Sequence, residues 1–290
     1  MFIRPSPSAH PRFDLEMARR HYAASGHDRE LAPEAITSPI HVVAVEHLRD
    51  LHGLRVGSAE PTDVFVFARG EPPRWDLTQV GGMPYWPADR PWPTNADGEP
   101  CGFLAQVNFQ DSRDLVGDLP GDVLVLLTND VDPDDWLFQE RPVRFEWVSA
   151  GIAPIEEFDS DRVVVPGGPF YGVIHRTADY PEARGASGTA ALRQSYLLAE
   201  LAGTKIGGIP HLIQGDRDGF TGELLFQLGS IQPAPGVPYP WVDLPEPLSR
   251  TPGADDYAYG EDHSFVLADA GMLYVVRHRS GELRAWCEYY

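Results

Sequence analysis

The stretch TQVGGMPYWPA at residues 78–88 is written almost a second time as TKIGGIPHLIQ at residues 204–214. The shared motif, Gly81-Gly82-x-Pro84, recurs 126 residues later as Gly207-Gly208-x-Pro210. Glycine reaches positive φ without a Cβ clash and proline restricts φ, so the motif is typical of a tight corner that leads into extended chain. Each copy is therefore predicted to position the strand that follows it. The alternative is that the corner leaves backbone amides free to meet a ligand.

Two more elements recur in the same order. Gln106 in LAQV corresponds to Gln227 in LFQL, 121 residues later, and Gly121 in LPGDVLVLL corresponds to Gly271 in ADAGMLYVV. Three ordered elements together predict an internal duplication. A buried amide in the middle of a strand needs hydrogen-bond partners. We therefore expect each glutamine to reach backbone groups near its own corner.

Apolar patterning predicts several strands, most clearly at residues 63–70, 101–109, 121–130, 264–278 and 283–290. Within 101–109, alternation places Phe103, Ala105 and Val107 on one face of the strand. Leu104 and Gln106 then lie on the opposite face.

Helical spacing in RFDLEMARRHYAA (12–24) and the Ala- and Leu-rich run at 186–205 predict two helices. The expected fold class is therefore α+β, a strand-rich mixed fold built from two duplicated, intimately packed halves. Residues 1–40 are expected to form an N-terminal appendage. A single domain should follow over 41–290, with its halves at about 41–150 and 151–290.

Composition restricts the classes of partner. A formal net charge of −20 repels phosphate backbones and anionic membrane surfaces, so we expect no nucleic-acid or membrane partner and favour a basic protein or peptide. Cys101 and Cys287 are isolated, and neither cysteine nor histidine spacing builds a ligand set, so no metal or cofactor is expected. The N-terminal residues contain no apolar signal-peptide core, which favours a cytoplasmic protein.

The segments after the two corners supply the candidate binding residues. Tyr85, Trp86 and Trp92 lie among prolines, and rigid aromatic surfaces bind peptides with little loss of entropy. We hypothesise that Trp86 or Trp92 is partly exposed at a groove between the halves, although packing on the protein's own sheet is the alternative. Lys205, the only lysine of the chain, and His211 are the corresponding candidates in the second copy.

Catalytic signatures are scarce in this sequence. There is no G-x-S-x-G elbow, Walker loop or H-E-x-x-H motif, and no catalytic residue is assigned. Glu261, Asp262 and His263 stand together in an acidic, Pro-rich flap, where carboxylates could orient the imidazole. An enzyme or small-molecule binder that uses this flap is therefore the alternative to a protein-binding module.

The motifs also support a family resemblance. VGGMPYWPADRPWPTNADGEPCGFLAQVNF, LPGDVLVLL, KIGGIPHLIQ, LLFQLGS and DAGMLYVV, spread over Leu77 to Tyr290, resemble the YwqG-like bacterial family, a domain of unknown function. More distantly, they are similar to the eukaryotic proteins grouped with YwqG as the TYPP domain. The eukaryotic relatives carry cysteine pairs near the first strand, whereas this chain has only Cys101 there.

The resemblance implies a strand-rich fold with duplicated halves and a role in holding other proteins, as a chaperone does. For some bacterial members it implies a place beside polymorphic toxins. The sequence is therefore interpreted as a non-catalytic protein-binding module, chaperone-like or of the toxin-immunity type, with a groove between its halves.

Overall fold

The computed structural model describes residues 2–3, 49–50, 53–69, 72–132, 142–165, 169–185, 199–214, 222–231, 265–267 and 271–289. Strand is the main regular secondary structure of these residues. The strands of the first half and the one short helix between them are β1 (Phe2–Ile3), β2 (Glu60–Arg69), β3 (Gln79–Val80), β4 (Gly102–Asn108), α1 (Arg113–Val116), β5 (Val123–Thr128) and β6 (Arg144–Val148). Those of the second half are β7 (Glu157–Phe158), β8 (Phe170–Asp179), β9 (Lys205–Gly207), β10 (Glu223–Gly229), β11 (Met272–Arg277) and β12 (Leu283–Glu288).

Ten of these strands form one antiparallel sheet, while β1 and β7 pair separately. The order in the large sheet is β12-β11-β10-β9-β2-β8-β3-β4-β5-β6. This order is symmetric about its centre, where β2 and β8 lie side by side. Four strands of the first half follow on the β8 side, β3 to β6, and four strands of the second half follow in the equivalent order on the β2 side, β9 to β12. Each half therefore supplies five strands in an equivalent arrangement.

The sheet curls strongly, because side chains from distant strands meet. Five strand spacings separate β4 from β10, which would be about 24 Å in a flat sheet. Yet the ring of Phe109, just after β4, lies 6.1 Å from the ring of Phe226 on β10. Arg277, at the end of β11, donates from Nη2 to the carbonyl oxygen of Val116 in α1 at 2.8 Å. The two flanks therefore approach each other around a shared interior.

Apolar side chains fill both faces of the curled sheet. The central core, on one face, combines residues of both halves, including Phe65, Val107, Phe170, Phe226 and Val275. On the other face, a first outer cluster lies under the segment after the first corner and includes Met83, Trp86, Phe103, Val125 and Phe158. A second, smaller outer cluster contains Ala202, Met272 and Tyr274. Buried strands such as β4 and β5 are consequently apolar on both faces.

The prediction of an α+β fold is wrong, because the described chain is essentially all-β. Residues 186–198, most of the predicted helix that ends at Gly203, lie outside the described part of the chain. Beyond that helix, Lys205 and Ile206 belong to β9 and pair with both β2 and β10. The described chain is all-β because ten strands satisfy their backbone groups by pairing in one sheet. The predicted helix at 12–24 and the boundary at residue 41 also lie outside the described residues.

The predicted faces of β4 are partly wrong because the strand contains an irregularity. The β4–β5 register shifts between Phe103 and Ala105. Ala105 and Val107 contact the central core as one set, but Phe103 packs in the first outer cluster and Leu104 in the central core. A β-bulge inserts an extra residue and reverses the alternation beyond it, which the sequence pattern does not reveal.

Candidate functional site

Both Gly-Gly corners adopt the left-handed conformation that glycine permits. The φ angles are 67° and 72° at Gly81 and Gly82, and 67° at both Gly207 and Gly208. Space is also restricted at the second glycine of each corner. A Cβ on Gly82 would lie 2.6 Å from Pro169, and a Cβ on Gly208 would lie 2.4 Å from the carboxylate of Asp179. Both corners therefore require glycine for conformation and for close packing.

Gln106 ties the first corner to its strand. Its Oε1 accepts a hydrogen bond from the Tyr85 N–H at 2.7 Å. Its Nε2 donates to the carbonyl oxygens of Trp75 (2.8 Å) and Leu77 (2.7 Å). One buried side chain thus fixes the chain on both sides of the corner.

Gln227 makes the equivalent contacts in the second half. Its Oε1 accepts from the His211 N–H at 3.0 Å, and its Nε2 donates to Leu201 O (3.3 Å) and Gly203 O (2.7 Å). These bonds to backbone groups beside each corner are the contacts that the sequence predicts. A second matching tie comes from threonine, since Thr204 Oγ1 accepts from the Gly229 N–H as Thr78 Oγ1 accepts from the Asn108 N–H. The repeated TQ and TK pairs were a signal for this tie that sequence reasoning missed.

The loop after the first corner packs onto its own sheet. Trp86 is buried, donates from Nε1 to Arg90 O at 2.9 Å, and has the Arg90 guanidinium 4.3 Å from its ring centre. Tyr85 is also buried, and its hydroxyl accepts from the Ile152 N–H. The hypothesis that Trp86 is an exposed anchor is therefore wrong. The prolines keep this segment out of a regular strand, and isolated bridges such as Pro87 with Pro154 fix it over the first outer cluster.

Trp92 is half-buried, so of the two tryptophans it is the one with a partly exposed side chain. Its Nε1 donates to Cys101 O at 2.8 Å, and its ring lies 5.1 Å from Trp86 and 4.6 Å from Phe158. These contacts hold the ring against the first outer cluster.

The second corner contains a buried ion pair. Lys205 and Asp179 are both fully buried, and Nζ donates to Oδ2 at 2.7 Å. The Asp179 carboxylate also accepts from the N–H groups of Leu201 (2.7 Å) and Ile209 (2.8 Å). Burial lowers the pKa of Lys205, the Asp179 carboxylate raises it, and the charge of Arg49 lowers it again. Lys205 is thus placed to hold the corner and cannot reach a partner on the surface.

His211 is also buried, at 1% exposure. Its carbonyl oxygen accepts from the Tyr274 hydroxyl at 2.6 Å, and its N–H is bound to Gln227. The residues after both corners therefore support the fold, and Tyr85, Trp86, Lys205 and His211 do not together form an accessible site.

Among the described residues, the edge strand β12 has a neighbouring strand, β11, on one side only. His278 N–H donates to Glu282 O, and this bond shows which residues of β12 form hydrogen-bonded pairs with β11. Antiparallel ladders alternate, so Leu283, Ala285 and Cys287 direct their N–H and C=O groups away from β11. Within the described chain no hydrogen bond reaches these groups. The same three side chains pack, partly buried, against the central core.

The opposite edge strand, β6, is partly covered. By the same alternation, Phe145 and Trp147 face outward with their backbone groups. Arg90 Nη1 donates to Trp147 O at 3.3 Å, and Arg144 Nη1 donates to Thr94 O at 3.3 Å. Side-chain contacts between β6 and the loop after the first corner thus occupy part of this edge, and β12 is the more accessible of the two.

The candidate metal ligands and reactive side chains lie only partly among the described residues. They contain no group of three or more His, Cys, Asp or Glu side chains placed to hold a metal ion. Burial raises the pKa of the Cys287 thiol to about 12, which keeps it protonated and weakly reactive at neutral pH. Glu261, Asp262 and His263 of the predicted acidic flap lie outside the described residues. Among the described residues, no helix has the length and apolar content needed to cross a membrane.

The family model of a domain of unknown function, DUF1963, matches residues 78–278. The chain belongs to the DUF1963 family. The matched stretch begins next to β3 and ends just after β11, so it contains both corners and both tying glutamines. It leaves out β2, at the centre of the sheet, and the edge strand β12. No match is found among curated proteins.

Proposed function

We propose that this DUF1963 protein is a non-catalytic, cytoplasmic protein-binding module that takes up an extended polypeptide as an additional strand beside β12. The observation that carries the proposal is the row of outward N–H and C=O groups on Leu283, Ala285 and Cys287. Strand addition uses such a row for affinity and the flanking side chains for specificity. We place the partner at this edge and not in the expected groove between the halves, because Trp86, in the proline-rich loop after the first corner, is buried.

Side chains on both faces of β12 define what the added strand meets. On the core side, half-buried Leu283, Ala285 and Cys287 offer apolar contact to alternate residues of the partner. On the outer side, Trp286 is stacked on Tyr274 at 5.1 Å. A strand that alternates apolar residues with long polar ones matches both faces.

Charge favours a basic strand. The net charge of −20 attracts cationic partners and speeds their encounter with the protein. Lysine or arginine next to the Trp286 ring also gains a cation–π contact. The resemblance to the YwqG-like family, with its implied role of holding other proteins, supports the same class of function. A chaperone-like holder and a toxin-immunity partner both need such a surface.

The test uses a proline at the outward position of the edge. Ala285→Pro removes an N–H group that does not bond to β11, so the β11–β12 hydrogen bonds stay intact. An added strand, in contrast, loses one hydrogen bond and clashes with the proline ring. Ala285→Thr keeps the N–H and is the matched control. The probe is a fluorescein-labelled synthetic octapeptide of alternating valine and lysine, followed by fluorescence anisotropy. A peptide of alternating valine and glutamate controls for charge.

We expect the wild-type protein and Ala285→Thr to bind the valine-lysine peptide, and Ala285→Pro to bind it at least about 10-fold more weakly. Equal stability of the three proteins in urea shows that the edge alone has changed. Equal binding by the proline and threonine variants would move the site away from β12. A wild-type protein that binds neither peptide at about 1 mM contradicts strand addition altogether.

A further inference from the structure

The side chain of Arg49 fills a closed site at the end of β8. It is fully buried, although arginine is rarely so. Nη1 donates to Ala178 O at 2.8 Å, and Nη2 donates to Ala199 O at 3.3 Å. The guanidinium carbon lies 5.1 Å from the centre of the Tyr180 ring.

This arrangement matches the shape of a guanidinium group. Two carbonyl oxygens from different chain segments receive the two terminal nitrogens, and an aromatic ring lies within cation–π distance. A planar guanidinium presents donors in a fixed fork, whereas an ammonium is a compact point charge. The site therefore discriminates by geometry as well as by charge.

Buried acidic side chains in the described part of the chain favour a cation at the site. Asp179, Glu200 and Lys205 are fully buried in the same region, and the charge of Arg49 affects Lys205 directly. Loss of the Arg49 charge removes one cation from beside these buried groups, and removing one member of a buried set of charges is strongly unfavourable in a low-dielectric interior.

The two carbonyls come from segments that are already fixed to each other. Tyr180 N–H donates to Ala199 O at 2.7 Å, and Leu201 N–H donates to Asp179 Oδ1. The walls of the site are thus held together by bonds that do not involve Arg49. A site of this kind can persist when its occupant is removed.

We propose that this is a binding site for an arginine side chain, that Arg49 is its ligand within the chain, and that a guanidinium compound from solution occupies it when Arg49 is truncated. The proposal does not depend on strand addition at β12. It assigns to the DUF1963 fold a site selective for guanidinium over ammonium ions, next to the second Gly-Gly corner.

The test is chemical rescue of Arg49→Ala. We expect the truncation to lower the melting temperature by about 5 °C or more. Methylguanidinium chloride at about 20 mM should restore at least half of that loss with saturable dependence on concentration, whereas methylammonium chloride should not. Arg55→Ala is the matched control, because Arg55 lies 5.7 Å from the same Tyr180 ring centre but is substantially exposed.

Three results would overturn the proposal. The first is that methylguanidinium stabilises Arg49→Ala no more than it stabilises the wild-type protein or Arg55→Ala. The second is an equal effect of methylammonium. The third is an Arg49→Lys variant that melts at the wild-type temperature, because charge alone would then suffice. If Arg49→Ala does not fold, the yield of refolding in methylguanidinium against methylammonium gives the same comparison.

Discussion

Replacement of Gln106 or Gln227 by leucine tests whether the two corners are equivalent structural locks. Leucine is close in size to glutamine and keeps the apolar contacts of the strand, but it makes no hydrogen bonds. In each half the change removes three bonds: one accepted from an N–H group and two donated to carbonyl oxygens.

The magnitude follows from the groups left behind. Gln106→Leu leaves the Tyr85 N–H and the carbonyl oxygens of Trp75 and Leu77 without their partner. A buried polar group that loses its partner costs about 1–3 kcal/mol. Taking the low end for each of the three groups, we expect a loss of about 3 kcal/mol in the free energy of unfolding. Gln227→Leu should lose a similar amount, within about 1 kcal/mol of the first value.

Equilibrium urea unfolding, followed by tryptophan fluorescence and far-UV circular dichroism, measures both losses. Gln110→Ala is the control, because Gln110 is exposed and such changes usually alter stability by less than about 0.5 kcal/mol. Losses below about 1 kcal/mol in both variants would refute the reasoning that the glutamines lock the corners. A large loss in one half with none in the other would refute their equivalence.

Two further changes test buried and charged groups. The Tyr171 hydroxyl is buried and has no hydrogen-bond partner among the described residues, so Tyr171→Phe should leave the urea midpoint unchanged or raise it. A loss above about 1 kcal/mol would show that the hydroxyl is bound. The Ala150 N–H and Arg113 hold the pKa of Asp122 below its ordinary value. The ionised Asp122 carboxylate therefore stabilises the folded protein above about pH 3.9, the ordinary pKa of an aspartate in the unfolded chain. This stabilisation is lost as the pH falls through the lower pKa that Asp122 has in the folded protein. Asp122→Asn should therefore destabilise the protein at pH 7 more than at pH 2, as urea midpoints at the two pH values would show, and an equal loss at both would contradict the assignment.

The two duplicated halves share their corners but differ in the residues that pack after them. The two corners and their glutamines are alike, but the residues after them are not. Tyr85 and Trp86 belong to a large outer cluster, whereas Leu212 and Ile213 pack against a smaller one. The difference between the halves is thus a difference in what is packed on the outer face of the sheet.

The amino-acid sequence by itself determined the features that depend on local pattern. The repeated Gly-Gly-x-Pro motif fixed both corners, because only glycine tolerates the φ angles found there. Apolar runs located β2, β4, β5, β11 and β12, and the paired glutamines predicted their own contacts, because a buried amide must be satisfied wherever it lies.

Tertiary structure decided everything that depends on residues distant in the chain. Lys205 lies in a strand that pairs with β2 on one side and β10 on the other. Its partner, Asp179, stands 26 residues earlier and carries no motif. Trp86 is buried because the curled sheet offers it an outer face to cover. Such contacts depend on how the strands are ordered and how strongly the sheet curls, and neither property is written in any short stretch of sequence.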